Sequence, residues 1–290
     1  MGAFLQLVVS GVAIGLVYAV VALGYQLTFS TSRTLNFGQG EVLAVGALMG
    51  VSAMAFVPYA FALALAGVGG FATGLVVQRV AVEPALRRRS EFGWIMSTVA
   101  LGIVLKNVAE LVWGKDDQPF PSPVGDRVVE LLGARFTLTE AFIAIAALVV
   151  VLAVEHLLRS TLTGKAMDAT SLDKEAAGLM GINTGRLVLL SYGLSGAAAA
   201  VAGVIVAPLT LAGATMGTVL GLKAFAVAVI GGLGSARGAI LGGLILGAAE
   251  SFTAFYVSTG YRDVPGLVLL LIVLAAKPSG ILGRVGVVKV

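Results

Sequence analysis

RSTLTGKAMDATSLDKEAAGLMGINTGR, residues 159–186, is a polar stretch set between two membrane-length apolar runs at 137–157 and 187–207. It carries four basic residues (Arg159, Lys165, Lys174, Arg186) and three acidic ones (Asp168, Asp173, Glu175). Charges of this density are too costly to hold in hydrocarbon, so the segment faces water. The runs beside it are each long enough, at about 20 apolar residues, to cross a bilayer. The stretch therefore decides the fold class: spans joined by a loop built to touch something outside the membrane.

Composition supports this reading. The 290 residues are 58% hydrophobic and 12% charged, with a mean hydropathy of +1.01. Ordinary soluble domains hold about 25% charged residues. The 39 glycines suit membrane helices, which associate through small residues that let backbones approach. Gly11/Gly15, Gly46/Gly50, Gly70/Gly74, Gly213/Gly217, Gly238/Gly242 and Gly243/Gly247 all have GxxxG spacing. With no cysteine there is no disulfide framework, thiolate metal site or cysteine nucleophile, and the lone His156 makes a poor metal centre or proton relay. Residues 1–29, MGAFLQLVVSGVAIGLVYAVVALGYQLTF, lack a basic n-region and are too apolar for too long to be a signal peptide, so they read as the first span. The Met-Gly start has Gln6 where a myristoylation signal carries Ser or Thr.

Helices are expected near 4–29, 41–57, 59–78, 95–113, 137–157, 187–207, 218–232, 238–257 and 264–276, with Pro58 marking the turn between the second and third. The last three runs are short or glycine-interrupted. The expectation is an all-α polytopic bundle of eight to ten transmembrane or re-entrant helices, forming one domain over 1–290. If segments 30–40, 79–94, 158–186, 233–237 and 277–290 share a side, they hold thirteen of the nineteen Lys and Arg, against four (Lys115, Arg127, Arg135, Arg262) on the other. The positive-inside bias puts Arg87, Arg88, Arg89, the 158–186 loop and the C-terminus in the cytoplasm, and the N-terminus outside. The same sorting assigns the net charge of +4 to a membrane surface and leaves no case for a nucleic-acid partner. The external loop 114–136, with three prolines and four acids, reads as a stiff solvated connector or a landing site for an extracytoplasmic partner.

Polar residues at membrane depth are functional candidates. Asn36, Gln39 and Glu41 stand in TLNFGQGE, residues 34–41, where two glycines free the backbone; irregular backbone at that depth must be buried in protein or line a cavity. A plain turn, with Glu41 favoured by a helix start, is the other reading. Lys223 and Glu250 flank a glycine-rich break at 231–234 and serve either a conduit or simple packing. Lys106 and Glu110 are spaced to pair along one helix. Glu155, His156 and Arg159 fall near a helix end, where they snorkel to the interface. No phosphate-binding G-x-x-x-x-G-K-[ST] occurs, and GLSGA at 193–197 misses the G-x-S-x-G nucleophile pattern at its last position. Any engine is therefore on another chain, and an enzyme is poorly supported.

Three segments, GLVYAVVALGYQLTFSTSRTLNFGQGEVLAVGA (15–47), GKAMDATSLDKEAAGLMGINTGRLVLLSYGLSGAAAAVAGVI (164–205) and GLKAFAVAVIGGLGSARGAILGGLILGAAES (221–251), in this order resemble the LivH-type permease subunits of branched-chain amino acid ABC importers, a wider family of hydrophobic amino acid, amide and urea uptake systems. The resemblance implies a bacterial inner-membrane protein working with a second, LivM-like permease, two ABC ATPases that bind ATP and Mg, and an extracytoplasmic solute-binding protein. It also implies a coupling helix, which falls here on Asp173, Lys174, Glu175, Ala176, Ala177, Gly178 and Gly181. No cofactor is implied on this chain. Where the family usually reads Asn-Phe-Ala-His-Gly-Glu this chain has NFGQGE, so any role for an imidazole there is lost and the solute is left open among amino acids, urea, amides and aromatic acids. The expected activity is alternating-access import driven by separate ATPases, with Asn36, Gln39, Glu41, Lys223 and Glu250 as candidates for the pathway or its gate. An autonomous secondary transporter or channel is the alternative, with residues 36–41 and 231–238 cast as its paired broken segments.

Overall fold

The computed structural model describes residues 2–88, 92–125, 127–131 and 134–283. Arg89, Asp126, Arg284 and Lys289, which entered the charge sorting and the loop reading above, lie outside them. In chain order the helices are α1 (Gly2–Ser32), α2 (Gln39–Met54), α3 (Tyr59–Val77), α4 (Glu83–Arg87), α5 (Gly93–Trp113), α6 (Leu138–Ser160), α7 (Leu162–Leu172), α8 (Lys174–Leu179), α9 (Thr184–Thr210), α10 (Met216–Gly231), α11 (Ala236–Tyr256) and α12 (Val264–Ala276). A π-helical turn, Gln78–Val82, joins α3 to α4, and a 3-10 turn, Thr259–Tyr261, precedes α12.

Among the described residues seven helices are long and apolar enough to cross a membrane, and α2 and α10, at 16 residues, are shorter apolar helices. Every expected span is thus present as a helix. The π-turn follows from Pro84, which has no N–H to continue the ladder. Pro58 ends its segment as foreseen, lying between Met54 and Tyr59 and offering its carbonyl to Phe61 and Ala62 as α3 begins.

Side-chain caps break the 159–186 stretch into short helices. Thr161 accepts from the Gly164 N–H to start α7, Asp173 from the Glu175 and Ala176 N–H groups to start α8, and Asn183 from the Arg186 N–H to start α9. Each satisfies donors that a helix start leaves unpaired. The 114–136 segment holds structure that the sequence reading did not foresee: strands β1 (Val128–Leu131) and β2 (Ala134–Thr137) pair antiparallel, with Val128 opposite Thr137 and Glu130 opposite Arg135. Thr137 then forms a capping box with Glu140 that opens α6. The loop is no loose connector, because Gln118 and Ala212 exchange backbone hydrogen bonds of 2.8 and 2.9 Å, and Phe120 is buried against Tyr59.

α1 is the central helix, apolar on every side and packed against α6, α9, α10 and α11. Its contact with α11 is backbone on backbone: Gly11 and Gly15 meet Gly247 and Gly243, so the two GxxxG pairs face each other. Gly70 and Gly74 of α3 pack in the same way against Gly196 and the Tyr192–Gly193 backbone of α9. Without a hydrophobic drive between helices in lipid, this closeness supplies the dispersion contacts. α5 and α12 are peripheral, with only 17% and 6% of their apolar windows buried against 78% for α1. A Cβ at Gly15 would stand 2.5 Å from the Gly243 carbonyl oxygen, closer than real side chains come. Gly15→Leu is therefore expected to lower unfolding stability by about 1–3 kcal/mol, the usual cost of overpacking, read as a lower midpoint in detergent-denaturant titration. An unchanged midpoint would contradict the contact.

Candidate functional site

The polar stretch after α1 forms a knot inside the bundle. Asn36 Nδ2 donates to Gln39 Oε1 at 3.1 Å, Gln39 Nε2 donates to the Ser195 carbonyl at 2.9 Å, and the Gly38 N–H donates to Asn36 Oδ1 at 3.0 Å. Ser195 Oγ lies 2.9 Å from the Gly24 carbonyl and 3.1 Å from Gln39 Oε1. Asn36 and Gln39 are buried. Ser195 is eleven residues into α9 and Gly24 eight from the end of α1, so at 1.5 Å per residue the knot lies about 12–17 Å inside both helices. The start of α2 is thereby fixed at membrane depth. Thr31 to Ser191 (2.7 Å) and Thr34 to Tyr192 (2.8 Å) pin the chain that leads to it.

Glu41, one residue past Gly40, leaves this knot and enters a cleft of about 320 Å³ between α1, α2, α5 and α10. Tyr25, Phe37, Val99, Ile103 and Phe225 make most of its wall apolar, and Lys106 and Thr218 supply its polar groups. Thr218 Oγ1 donates to Glu41 Oε1 at 3.1 Å. The Glu41 carboxylate rests against Gly102, where an added Cβ would meet Oε2 at 3.5 Å. Lys106 is one helical turn further along the same face of α5. Gly102 is the tenth residue of the 21-residue α5, so the cleft lies near the middle of that span.

Two expectations change here. Lys106 and Glu110 form no ion pair, although both are described. Lysine preceding glutamate is the weaker order for a pair four apart, and Lys106 turns toward the cleft instead. Nor do Lys223 and Glu250 share the cleft with Glu41. Lys223 stands five residues beyond Thr218, about 140° around α10 at 3.6 residues per turn. Asn36 and Gln39 hold α2 in place without lining the cleft.

Lys223 and Glu250 belong to a second cluster in which each charge meets an opposite one, although Glu250 Oε1 and Arg262 Nε make no hydrogen bond. Lys223 Nζ lies 2.9 Å from Glu250 Oε1, 2.6 Å from Asp263 Oδ1 and 3.3 Å from the Tyr18 hydroxyl. Tyr18 donates to Glu250 Oε2 at 2.8 Å, and Arg262 Nε approaches the same oxygen at 3.7 Å. Glu250 has no exposed surface, while Asp263 is mostly exposed. One buried pair thus ties α1, α10 and α11 to the loop before α12. At the other end of the bundle Glu155 bonds Arg159 at 2.6 Å, within reach of Arg237 at 3.9 Å.

The residues from Asp173 to Gly181 make an exposed, capped helical turn. In α8 only Ala177 is buried. The turn ends with the Gly181 N–H on the Gly178 carbonyl and the Ile182 N–H on the Ala177 carbonyl, and with Gly181 at φ +85°, which glycine adopts without strain. Leu172, Leu179 and Met180 project apolar side chains outward. A Cβ at Gly178 would meet nothing within 4 Å. This turn is tied back to the spans, since Arg33 at the end of α1 donates to the Ser171 carbonyl at 3.0 Å, and Met167 of α7 packs on Leu27 and Leu187.

Comparison with known proteins gives these features a context. The family described as branched-chain amino acid transport system / permease component matches residues 7–276. The high-affinity branched-chain amino acid transport system permease protein LivH of Escherichia coli strain K12 is 35% identical, covering 99% of this chain and 98% of its own. The corresponding BraD of Pseudomonas aeruginosa is 31% identical over 99% and 98%. The ribose import permease protein RbsC of Escherichia coli strain K12 is 29% identical over 88% and 80%. With a family match across nearly all of its length and relatives above 30% identity, this chain belongs to the permease components of branched-chain amino acid transport systems, multi-pass proteins of the bacterial inner membrane.

Proposed function

We propose that this ABC-importer permease carries a branched-chain or other amino acid inward, with residues 158–186 in the cytoplasm and α8 seated in a groove of an ABC ATPase. The single observation that carries the coupling role is the state of α8. It is capped by its own Asp173, anchored only through Ala177, and offers Leu172, Leu179 and Met180 to the outside. Exposed apolar side chains grouped on a short rigid turn mark a contact surface. Gly178 sharpens this, because its own chain leaves room for a side chain there. A requirement for glycine would come from a partner that approaches its bare face.

The remaining parts follow from the family. A second, LivM-like permease completes the conduit, two ATPases bind ATP and Mg, and a solute-binding protein delivers cargo from outside. ATP-driven closure of the ATPases moves α8. The Arg33–Ser171 bond and the direct run from α8 into α9 pass that motion to α1 and α9, which hold the α2 knot. The cleft beside Glu41 then opens to one side at a time. Lys223 and Glu250 act as an outer clasp that keeps α1, α10 and α11 together during this motion.

Two measurements test these roles. Gly178→Leu is expected to leave the melting temperature of the purified chain unchanged while ATP-driven uptake by the assembled importer falls about tenfold, equivalent to 1.4 kcal/mol of lost docking. Undiminished uptake, or uptake by this chain alone in liposomes driven by an ion gradient, would refute the coupling role. Lys223→Met strands the buried Glu250 charge and is expected to cost about 3–5 kcal/mol of unfolding free energy, most of which Lys223→Met with Glu250→Leu restores.

A further inference from the structure

The described residues place two opposite charges, Glu41 in the first turn of α2 and Lys106 within α5, on one cleft without giving either an ionic partner. Glu41 accepts one hydrogen bond, from Thr218, and meets no cation. Among the described residues Lys106 makes neither an ion pair nor a hydrogen bond, and it lines the cleft. The contrast lies within the same protein: Lys223 and Glu250 pair with each other and meet three further polar partners, Tyr18, Asp263 and Arg262. A charge in hydrocarbon is tolerated when it faces a cavity or a counter-charge. Glu41 and Lys106 face one cavity from neighbouring helices, so their counter-charges come from whatever enters it.

We infer that Glu41 and Lys106 form a transit site for the zwitterionic backbone of an amino acid, Glu41 taking the α-ammonium and Lys106 the α-carboxylate. The apolar wall between them, from Phe37, Val99, Ile103 and Phe225, receives an aliphatic side chain. At about 320 Å³ the cleft is of the size that holds a small ligand. The charge pattern is specific. An uncharged sugar or urea satisfies neither end, and a carboxylic acid or an amine satisfies only one. Thr218 fixes one oxygen of Glu41 and leaves the other free for an ammonium. A Cβ at Gly102 would crowd Gly38 Cα at 3.1 Å and would come into ordinary contact, 3.5 Å, with that free oxygen. Binding here is weak by construction, since the cleft is half open and each charge makes one contact, and a conduit must release what it holds.

This inference rests on the amino-acid import reading above, and the test separates the two. The complete importer, with its second permease, ATPases and binding protein, is reconstituted in liposomes, and L-leucine uptake is measured per ATP hydrolysed. Lys106→Gln and Glu41→Gln are each expected to lower that ratio about tenfold, the loss of one charge contact of 1.4 kcal/mol. The exchanged pair, Glu41→Lys with Lys106→Glu, is expected to regain part of what either single reversal loses, which a misfolded protein would not do. Unchanged leucine uptake per ATP in Lys106→Gln overturns the transit site alone. So does a loss that merely tracks release of the second permease from the purified complex, because the two charges would then pair across that interface. Failure of the unaltered importer to take up any amino acid overturns the transport reading itself and this site with it.

Discussion

The rest of the structure depends on the need to satisfy backbone polar groups where no water reaches. Between Ser32 and Gln39 the chain leaves one helix and starts another at membrane depth, which hydrocarbon forbids unless protein supplies the hydrogen bonds. Asn36, Gln39, Ser195 and the Gly24 carbonyl supply them. Because each amide and hydroxyl is used, the knot has one arrangement, and α2 has one starting point. Glu41 inherits its position from that knot. An ordinary surface turn would have released the carboxylate to water and left the cleft without its acid.

Glycine packing and polar knots divide the work between them. Backbone contacts of α1 with α11 and of α3 with α9 make a dense, nearly featureless frame. The frame tolerates little relative sliding at those contacts, since overpacking at a single Cβ already strains it. α5 and α12 are held more lightly and expose most of their apolar surface. Rearrangement therefore falls on the periphery. The wall of the cleft that α5 contributes is the part least constrained by the core, and it carries Lys106.

The helices were readable because long apolar runs have few alternatives in a membrane, and Pro58 marked a turn through chemistry local to the sequence, whereas the caps by Asp173 and Asn183 emerged only from the structure. The GxxxG pairs could be seen, but not that Gly11/Gly15 faces Gly243/Gly247, since partners in a membrane bundle depend on tertiary choice among many similar faces. The hairpin at 128–137 was missed because its strands are four residues each and sit among prolines and charges that look like loop. Lys106 was misread for a related reason. Sequence spacing offered Glu110 as a partner, whereas the acid in its cleft is 65 residues away on α2. The turn at 173–181 was singled out through the resemblance to known permeases; that Gly178 is bare on the outside required coordinates.

The two charge sets on opposite sides of α10 differ in whether the chain completes them, and that difference assigns their roles. Lys223 and Glu250 are closed by Tyr18, Asp263 and Arg262, so removal of the lysine leaves the buried Glu250 carboxylate short of a counter-charge, which suits the set to the clasp proposed above. Glu41 and Lys106 are left open toward a shared cavity. A transporter needs both kinds: a joint whose energy does not change through the cycle, and a site whose energy falls only while cargo is present. Thr218, which holds Glu41, and Lys223 lie about 140° apart on the 16-residue α10, so a tilt of α10 about the closed cluster would alter the width of the cleft.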